Sequence, residues 1–189
     1  MPPTRRLLRP ALATAMTLFT VTAASALAVT VTSSPSSAAA CNGYVALTFD
    51  DGPNPSTTQS LLNALRAAGL RATMFNEGAR AQQNPSLVRA QVAAGMWIGN
   101  HSWSHAHLTQ LSVAQMTSEI AQTQQVIQQI TGTAPKLFRP PYGETNATLR
   151  SVEAQYGLTE IIWDVDSQDW NGASTAQIVQ AVSRLSPGQ

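Results

Sequence analysis

Short apolar runs alternate along this chain with longer runs of helical spacing, and that alternation constrains the fold more than any other feature. Residues 44–49 read as a strand. Residues 56–68 carry Leu61, Leu62 and Leu65 at helical spacing, after a Ser/Thr start and before Gly69. Residues 72–76 read as a strand. Asn84-Pro85 opens the next helix, with proline at its first position, and Gly95 closes it. Residues 97–100 are a short strand, and 112–130 a long helix, apolar at Val113, Met116, Ile120, Ile127 and Ile130 and stopped by Gly132. Leu137-Phe138 leads into a proline-rich turn. Residues 146–156 are helical up to Gly157, 158–163 a strand and 174–185 a helix. Trp97 and Trp163, inside strands, are expected in the core.

Strands separated by helices pair in parallel through right-handed crossovers. Two layouts satisfy that: an open doubly wound sheet and a (β/α) barrel. In either, polar residues at the C-terminal ends of the strands form the site. The segments after the strands are Asp50-Asp51-Gly52, Asn76-Glu77-Gly78, residues 101–105, residues 139–143 and residues 164–170. They hold Asp50, Asp51, Asp164, Asp166 and Asp169, and two of the three histidines. Solubility alone does not explain such clustering at one rim.

Charge separates the first forty residues from the rest. They hold Arg5, Arg6 and Arg9 and no acidic residue, whereas 41–189 carries all ten acidic residues and the other eight basic ones. After the arginines comes an Ala/Leu/Thr/Val run over 11–29, then small-residue sites at Ala24-Ser25-Ala26 and Ala38-Ala39-Ala40. That order is a secretory signal, so 1–40 is expected to be removed and the protein exported, with no stable membrane insertion. The competing reading is a membrane anchor, for which this Ala- and Thr-rich run is weak. Arg5-Arg6 also fits a twin-arginine route. Cleavage after Ala40 would leave Cys41 first, either lipid-modified or a thiol whose partner lies elsewhere. As the chain's single cysteine, Cys41 rules out an internal disulfide and a Cys-rich zinc module. The basic residues of 41–189 are scattered singly, which excludes the basic stripe of a nucleic-acid binder.

The rim residue types point to metal-assisted hydrolysis. His101 and His105, four apart, suit a metal, and one carboxylate completes a two-His, one-Asp set with an open position for water. Asp50 and Asp51 follow a strand directly. A turn before Pro53 needs one aspartate at most, so one carboxylate is free for the metal and the other to act as a base. Adjacent strand residues point to different sides, so the two need not do the same job. Arg139, on the stiff turn before Pro140-Pro141, is a candidate partner for the base. Trp103, Tyr142 and Trp170 offer flat faces suited to sugar rings, or else packing under the loops. His107 reads as a surface or capping residue, with general acid a distant second.

On these residues the chain resembles a known family. The segments TFDDGP (48–53), HSWSH (101–105), RPPYG (139–143) and DSQDW (166–170) are similar, in order, to the first four motifs of the NodB-like polysaccharide deacetylases, carbohydrate esterase family 4. The overall character is similar to that of secreted actinobacterial acetylxylan esterases and chito-oligosaccharide deacetylases. The resemblance implies an α/β fold, the distorted (β/α) barrel of the NodB-homology type, over residues 41–189. It implies Asp50 as base, Asp51, His101 and His105 as ligands of a divalent metal (zinc, or cobalt in its place), and Arg139 as the residue that orients Asp50. It also implies a Tyr142 N–H in the oxyanion hole, an Asp169 that tethers a late histidine acting as general acid, and a Trp170 wall. The implied substrate is an acetylated polysaccharide or oligosaccharide: xylan, chitin oligomers or peptidoglycan.

One departure stands out. The family's fifth motif, an apolar strand ending in Leu-x-x-His, is absent, and all three histidines lie between 101 and 107. The chain therefore reads as a fragment that lacks its final strand and its general acid, expected to be unstable and to bind metal poorly. The alternative to an active deacetylase is a catalytically impaired fragment or a carbohydrate-binding pseudo-enzyme of the same fold. Oligomeric state is not specified by any of these residues.

Overall fold

The computed structural model describes residues 43–189. The expected leader over 1–40, and Cys41, lie outside the described residues. Among the described residues five strands form one parallel sheet: β1 (Thr48–Gly52), β2 (Thr73–Asn76), β3 (Trp97–Asn100), β4 (Leu137–Phe138) and β5 (Thr159–Glu160). Their spatial order is β1-β2-β3-β4-β5, the order of the chain. A doubly wound sheet reverses direction at a switch point. This sheet never does, so it has the winding of a (β/α) barrel wall, with β1 and β5 as its edges. Beyond the β1 edge, Gly188 N–H donates to the Tyr44 carbonyl (2.7 Å) and Ala46 N–H to the Gln189 carbonyl (2.8 Å).

Among the described residues five helices connect the strands, α1 (Thr58–Ala67), α2 (Gly78–Gln83), α3 (Pro85–Ala93), α4 (Val113–Thr131) and α5 (Ala147–Gln155), and α6 (Thr175–Val182) follows β5. Their ends follow local chemistry. Ser112 and Gln115 form a reciprocal capping box at the start of α4, and Gly132 closes it at φ +79°. Asn146 caps α5 through its side chain, and Pro85 fills the first position of α3. Helix α2 was not expected from the sequence. It is short and starts on glycine, and its first N–H groups donate to the carbonyls of Ser102 and Trp103. Tertiary acceptors, not propensity, hold it.

Three clusters fill the space between sheet and helices. Leu62, Leu65, Ala72, Met74 and Met96 pack α1 and α3 against β1–β3. Met116, Ile120, Phe138, Leu149 and Val152 join α4 and α5 to β4. Ala81, Val88, Val126 and Ile127 join α2, α3 and α4. Truncating a fully buried residue such as Ile120 or Ile127 to alanine would cost about 2–5 kcal/mol.

Two strands depart from their expected bounds, and both departures shape the site. The first was expected over 44–49 but lies three to four residues later, and Tyr44 is 84% exposed. The last is two residues, not six: the Ile161 and Ile162 carbonyls face the Arg139 guanidinium instead of a neighbouring strand. The two tryptophans expected in the core are not buried. Trp97 is 53% exposed, with the Arg71 guanidinium 4.3 Å over its ring, and Trp163 is 37% exposed beside Gly143. No helix among the described residues is long and apolar enough to cross a membrane.

Candidate functional site

The C-terminal ends of β1, β3 and β4 meet over Phe75, a wholly buried residue of β2. Gly99 is its partner across β3, and a Cβ there would collide with the Phe75 ring. The missing side chain lets that ring fill the floor, and the Arg139 guanidinium lies 4.3 Å above it.

Asp50 and Asp51 reach the rim through a bulge. Phe49 pairs with Met74 and Gly52 with Asn76, so two residues of β1 oppose the single Phe75 of β2. Asp51 takes up the extra length at φ +59°. The alternation that should send neighbouring side chains to opposite faces is thereby broken, and both carboxylates face His101. Asp51 Oδ1 is 3.3 Å from His101 Nε2, and Asp50 Oδ2 is 4.0 Å from the same atom.

The loop after β3 supplies the imidazoles. His101 is buried, and its Nδ1 lies 2.7 Å from the Arg139 carbonyl. A carbonyl only accepts, so Nδ1 carries the proton and Nε2 turns toward Asp51. His105 Nε2 is 3.4 Å from the same Asp51 Oδ1. The loop is tied down from several sides. Asn100 accepts from Ser102 N–H and donates to Ile120 O and Gln124 Oε1. Glu119 of α4 accepts from the N–H groups of Trp103 and Ser104 and from Ser104 Oγ.

Arg139, nine-tenths buried and more, joins the two halves. Its Nη1 donates to Asp50 Oδ1 and to Thr48 Oγ1, both at 2.8 Å, and its Nε donates to Ile161 O at 3.1 Å. One residue thus orients Asp50 through its guanidinium and His101 through its carbonyl. The following turn, Pro141–Gly143, holds Tyr142 at φ +59°. Among the described residues the Tyr142 N–H has no hydrogen-bond partner.

Of the five non-glycine residues with positive φ among the described residues, four are Asp51, Ser102, His105 and Tyr142. Such backbone costs on the order of 1–3 kcal/mol per residue and persists where its surroundings fix it, commonly at functional sites.

The donor set fits a divalent metal. Asp51, His101 and His105 each present one ligand atom, all within 4.8 Å of one another. The 3.3 and 3.4 Å separations match the edge of a tetrahedron, about 3.3 Å, whose centre lies about 2.0–2.1 Å from each corner, the usual zinc–ligand distance. Two imidazole nitrogens crowd one carboxylate oxygen, an arrangement that calls for a cation among them. The protonation states agree. The His101 contact holds the Asp51 carboxyl below its ordinary range, against a smaller rise from burial, so it is ionised at neutral pH. Burial lowers His105, with Asp51 partly opposing, so its ring is neutral.

Other expected site residues lie elsewhere. Trp103 packs, partly buried, against the Ala81, Val88, Val126 and Ile127 cluster, the second of its two expected places rather than a sugar-facing one. Its ring is fixed there by α2, the helix the sequence did not disclose. Asp169 and Trp170 form an exposed turn: Ser167 Oγ donates to Asp169, Trp170 Nε1 donates to Asp166, and Trp170 is 74% exposed. No hydrogen bond, ion pair or ring contact links either residue to Asp50, Asp51, His101 or His105. Sequence reasoning missed Thr48, Asn100 and Glu119. The available signal was Glu119, the only charged residue in α4.

An open groove of about 680 Å³ is lined in part by Pro53, Pro55, Glu77, Arg80, Gln83 and Ser104, of which Pro53 and Ser104 are chain neighbours of the triad and none is a member.

Comparison with known proteins gives the family. A family model described as polysaccharide deacetylase matches residues 38–161. The chain is 46% identical over 150 residues to a bifunctional xylanase/xylan deacetylase of Cellvibrio japonicus, covering 79% of this chain and 22% of that protein. It is 44% identical over 138 residues to the peptidoglycan-N-acetylmuramic acid deacetylase PdaC of Bacillus subtilis, covering 73% of this chain and 29% of that one. The chain thus spans under a third of the length of these two relatives. Among solved structures, a family 4 carbohydrate esterase from Streptomyces lividans, in complex with acetate, is 76% identical, with a TM-score of 0.77 over 79% of this chain and 78% of that one. With its rim motifs, parallel sheet and Asp/His/His cluster, this chain belongs to the polysaccharide deacetylases, carbohydrate esterase family 4.

Proposed function

We propose that this chain is an exported, divalent-metal-dependent deacetylase domain that hydrolyses acetyl groups on a polysaccharide or oligosaccharide. The observation that carries the proposal is the convergence of Asp51, His101 and His105 beside Asp50, whose carboxylate Arg139 holds by one oxygen. The relatives named above act on xylan and on peptidoglycan, which makes acetylated xylan and N-acetylated glycans the substrate classes to examine. Zinc is the proposed metal, since two imidazoles and a carboxylate are a common catalytic zinc set. Export rests on the basic, apolar and small-residue order of residues 1–40.

The residues divide the work as follows. Asp51, His101 and His105 would hold the cation. A bound cation supplies Lewis acidity, which lowers the pKa of water to about 7. Asp50 Oδ2 points toward the triad while Oδ1 is engaged by Arg139, so Oδ2 takes the proton as water attacks the acetyl carbonyl. The unpartnered Tyr142 N–H donates to the developing oxyanion.

The test is acetate release by the purified chain from acetylated xylan, chito-oligosaccharides and peptidoglycan, after chelation and again after zinc is restored. The proposal expects release with zinc and none after chelation. Zinc-independent release, or none from any glycan, would overturn it.

A further inference from the structure

His107 and Glu144 lie outside the metal cluster, on two different loops. The His107 ring stacks on Tyr142, centroids 3.9 Å apart and planes 10° from parallel. His105 meets the same tyrosine edge-on at 4.6 Å. His107 Nδ1 is 3.1 Å from both carboxylate oxygens of Glu144, and Thr109 Oγ1 donates to Glu144 Oε2 at 3.1 Å. Glu144 follows the Pro141–Gly143 turn, and its own N–H donates to Pro141 O. The loop that carries His107 and Thr109 is therefore tied to the far side of the turn that carries Tyr142.

Tyr142 needs such a tie. Its side chain is half exposed and its backbone is left-handed, a conformation that a tyrosine leaves unless its neighbours prevent it. The stack fixes the ring, the Glu144 tether fixes the stacking partner, and ring and N–H belong to one residue. A rotation of the turn would swing the N–H away from the acyl oxygen.

We infer that His107 and Glu144 are positioning residues that clamp Tyr142 so that its N–H meets the acyl oxygen in the transition state. The inference rests on the deacetylase reading and deepens it. The clamp acts on a donor used as charge develops, so its loss lowers kcat and leaves KM and metal affinity in place.

The test compares the zinc-loaded full chain with Glu144→Ala, Glu144→Gln, His107→Ala and His107→Phe by two readouts. The first is the ring resonances of labelled tyrosine, read for Tyr142 against Tyr44 and Tyr156, the chain's other two tyrosines. Tyr142 is expected upfield in the parent, displaced in Glu144→Ala, in His107→Ala and, because phenylalanine cannot bond Glu144, in His107→Phe, and near its parent position in Glu144→Gln, while Tyr44 and Tyr156 stay put and report intact folding. The second readout is acetate-release kinetics. Both alanine variants are expected to lose about tenfold in kcat, a fraction of what deleting an oxyanion donor costs, with KM within about twofold and zinc affinity unchanged. Glu144→Gln, which keeps an acceptor for His107, is expected within about threefold of the parent. Unmoved Tyr142 resonances, unchanged kcat, or a loss that falls on KM or zinc affinity would each overturn the inference. A parent chain that releases no acetate refutes the deacetylase reading itself, and the resonances still decide whether the clamp exists.

Discussion

Arg139 carries more of the site than any other single side chain, because it fixes a base and a ligand at once. Its guanidinium engages Asp50 Oδ1, and its carbonyl sets the proton on His101. Asp50→Asn keeps the shape and that contact but cannot accept a proton. The expected outcome is a turnover loss of about 10²–10⁴, with zinc affinity within about twofold of the parent. Parallel kinetics and zinc titration check it, and retained turnover would remove Asp50 as base. Much of this chemistry was legible in the sequence, because Asp50, Asp51, His101, His105 and Arg139 sit where strands end. The means of convergence was not. The bulge at Asp50-Asp51 depends on the β2 register, and the left-handed backbone at Asp51, Ser102, His105 and Tyr142 is set by tertiary contacts. Trp97 and Trp163 were misplaced because burial of a tryptophan depends on neighbours that its own run does not name.

Helix ends were readable because Ser, Asn, Pro and Gly act locally, as at Ser112 and Gly132 of α4. The short α2 and the two-residue β5 were not, since carbonyls on other loops decide the one and Arg139 the other. The α5–β5 contact holds a second unread feature. Glu153 of α5 is 2% exposed, and its Oε1 is the buried side-chain atom without a partner among the described residues. Burial first, then the facing Glu160, pushes its carboxyl from 4.5 up to about 7. Arg150, which also reaches Glu160, opposes this. A raised folded-state pKa means that the folded chain holds a proton the unfolded chain releases. Stability therefore falls as pH rises through that interval, and the penalty is complete above it. Glu153→Gln is expected to match the parent near pH 4 and to exceed it by up to ~3 kcal/mol at pH 8. Denaturant melts at both pH values decide this; an equal difference at both would contradict it.

At the scale of the whole molecule, the sequential order β1-β2-β3-β4-β5 places β1, which bears Asp51, and β3, whose following loop bears both histidines, on either side of β2. The triad is assembled by residues 51–105, from β1 and from the loop after β3, and Arg139 braces it from the end of β4. The missing fifth motif predicts weak metal binding, whereas the gathered Asp51, His101 and His105 predict a bound cation. Zinc held by the folded chain alone stabilises it, by about 2.7 kcal/mol at a free concentration of 100 Kd. Thermal melts should show that gain in the parent and lose it in His101→Ala. The most direct measurement is the zinc-edge X-ray absorption spectrum of the chain loaded with one equivalent of zinc. It is predicted to show two imidazoles and oxygen donors at about 2.0–2.1 Å, with imidazole scattering diminished in His105→Ala. A spectrum of zinc surrounded by water, without imidazole scattering, would contradict the account.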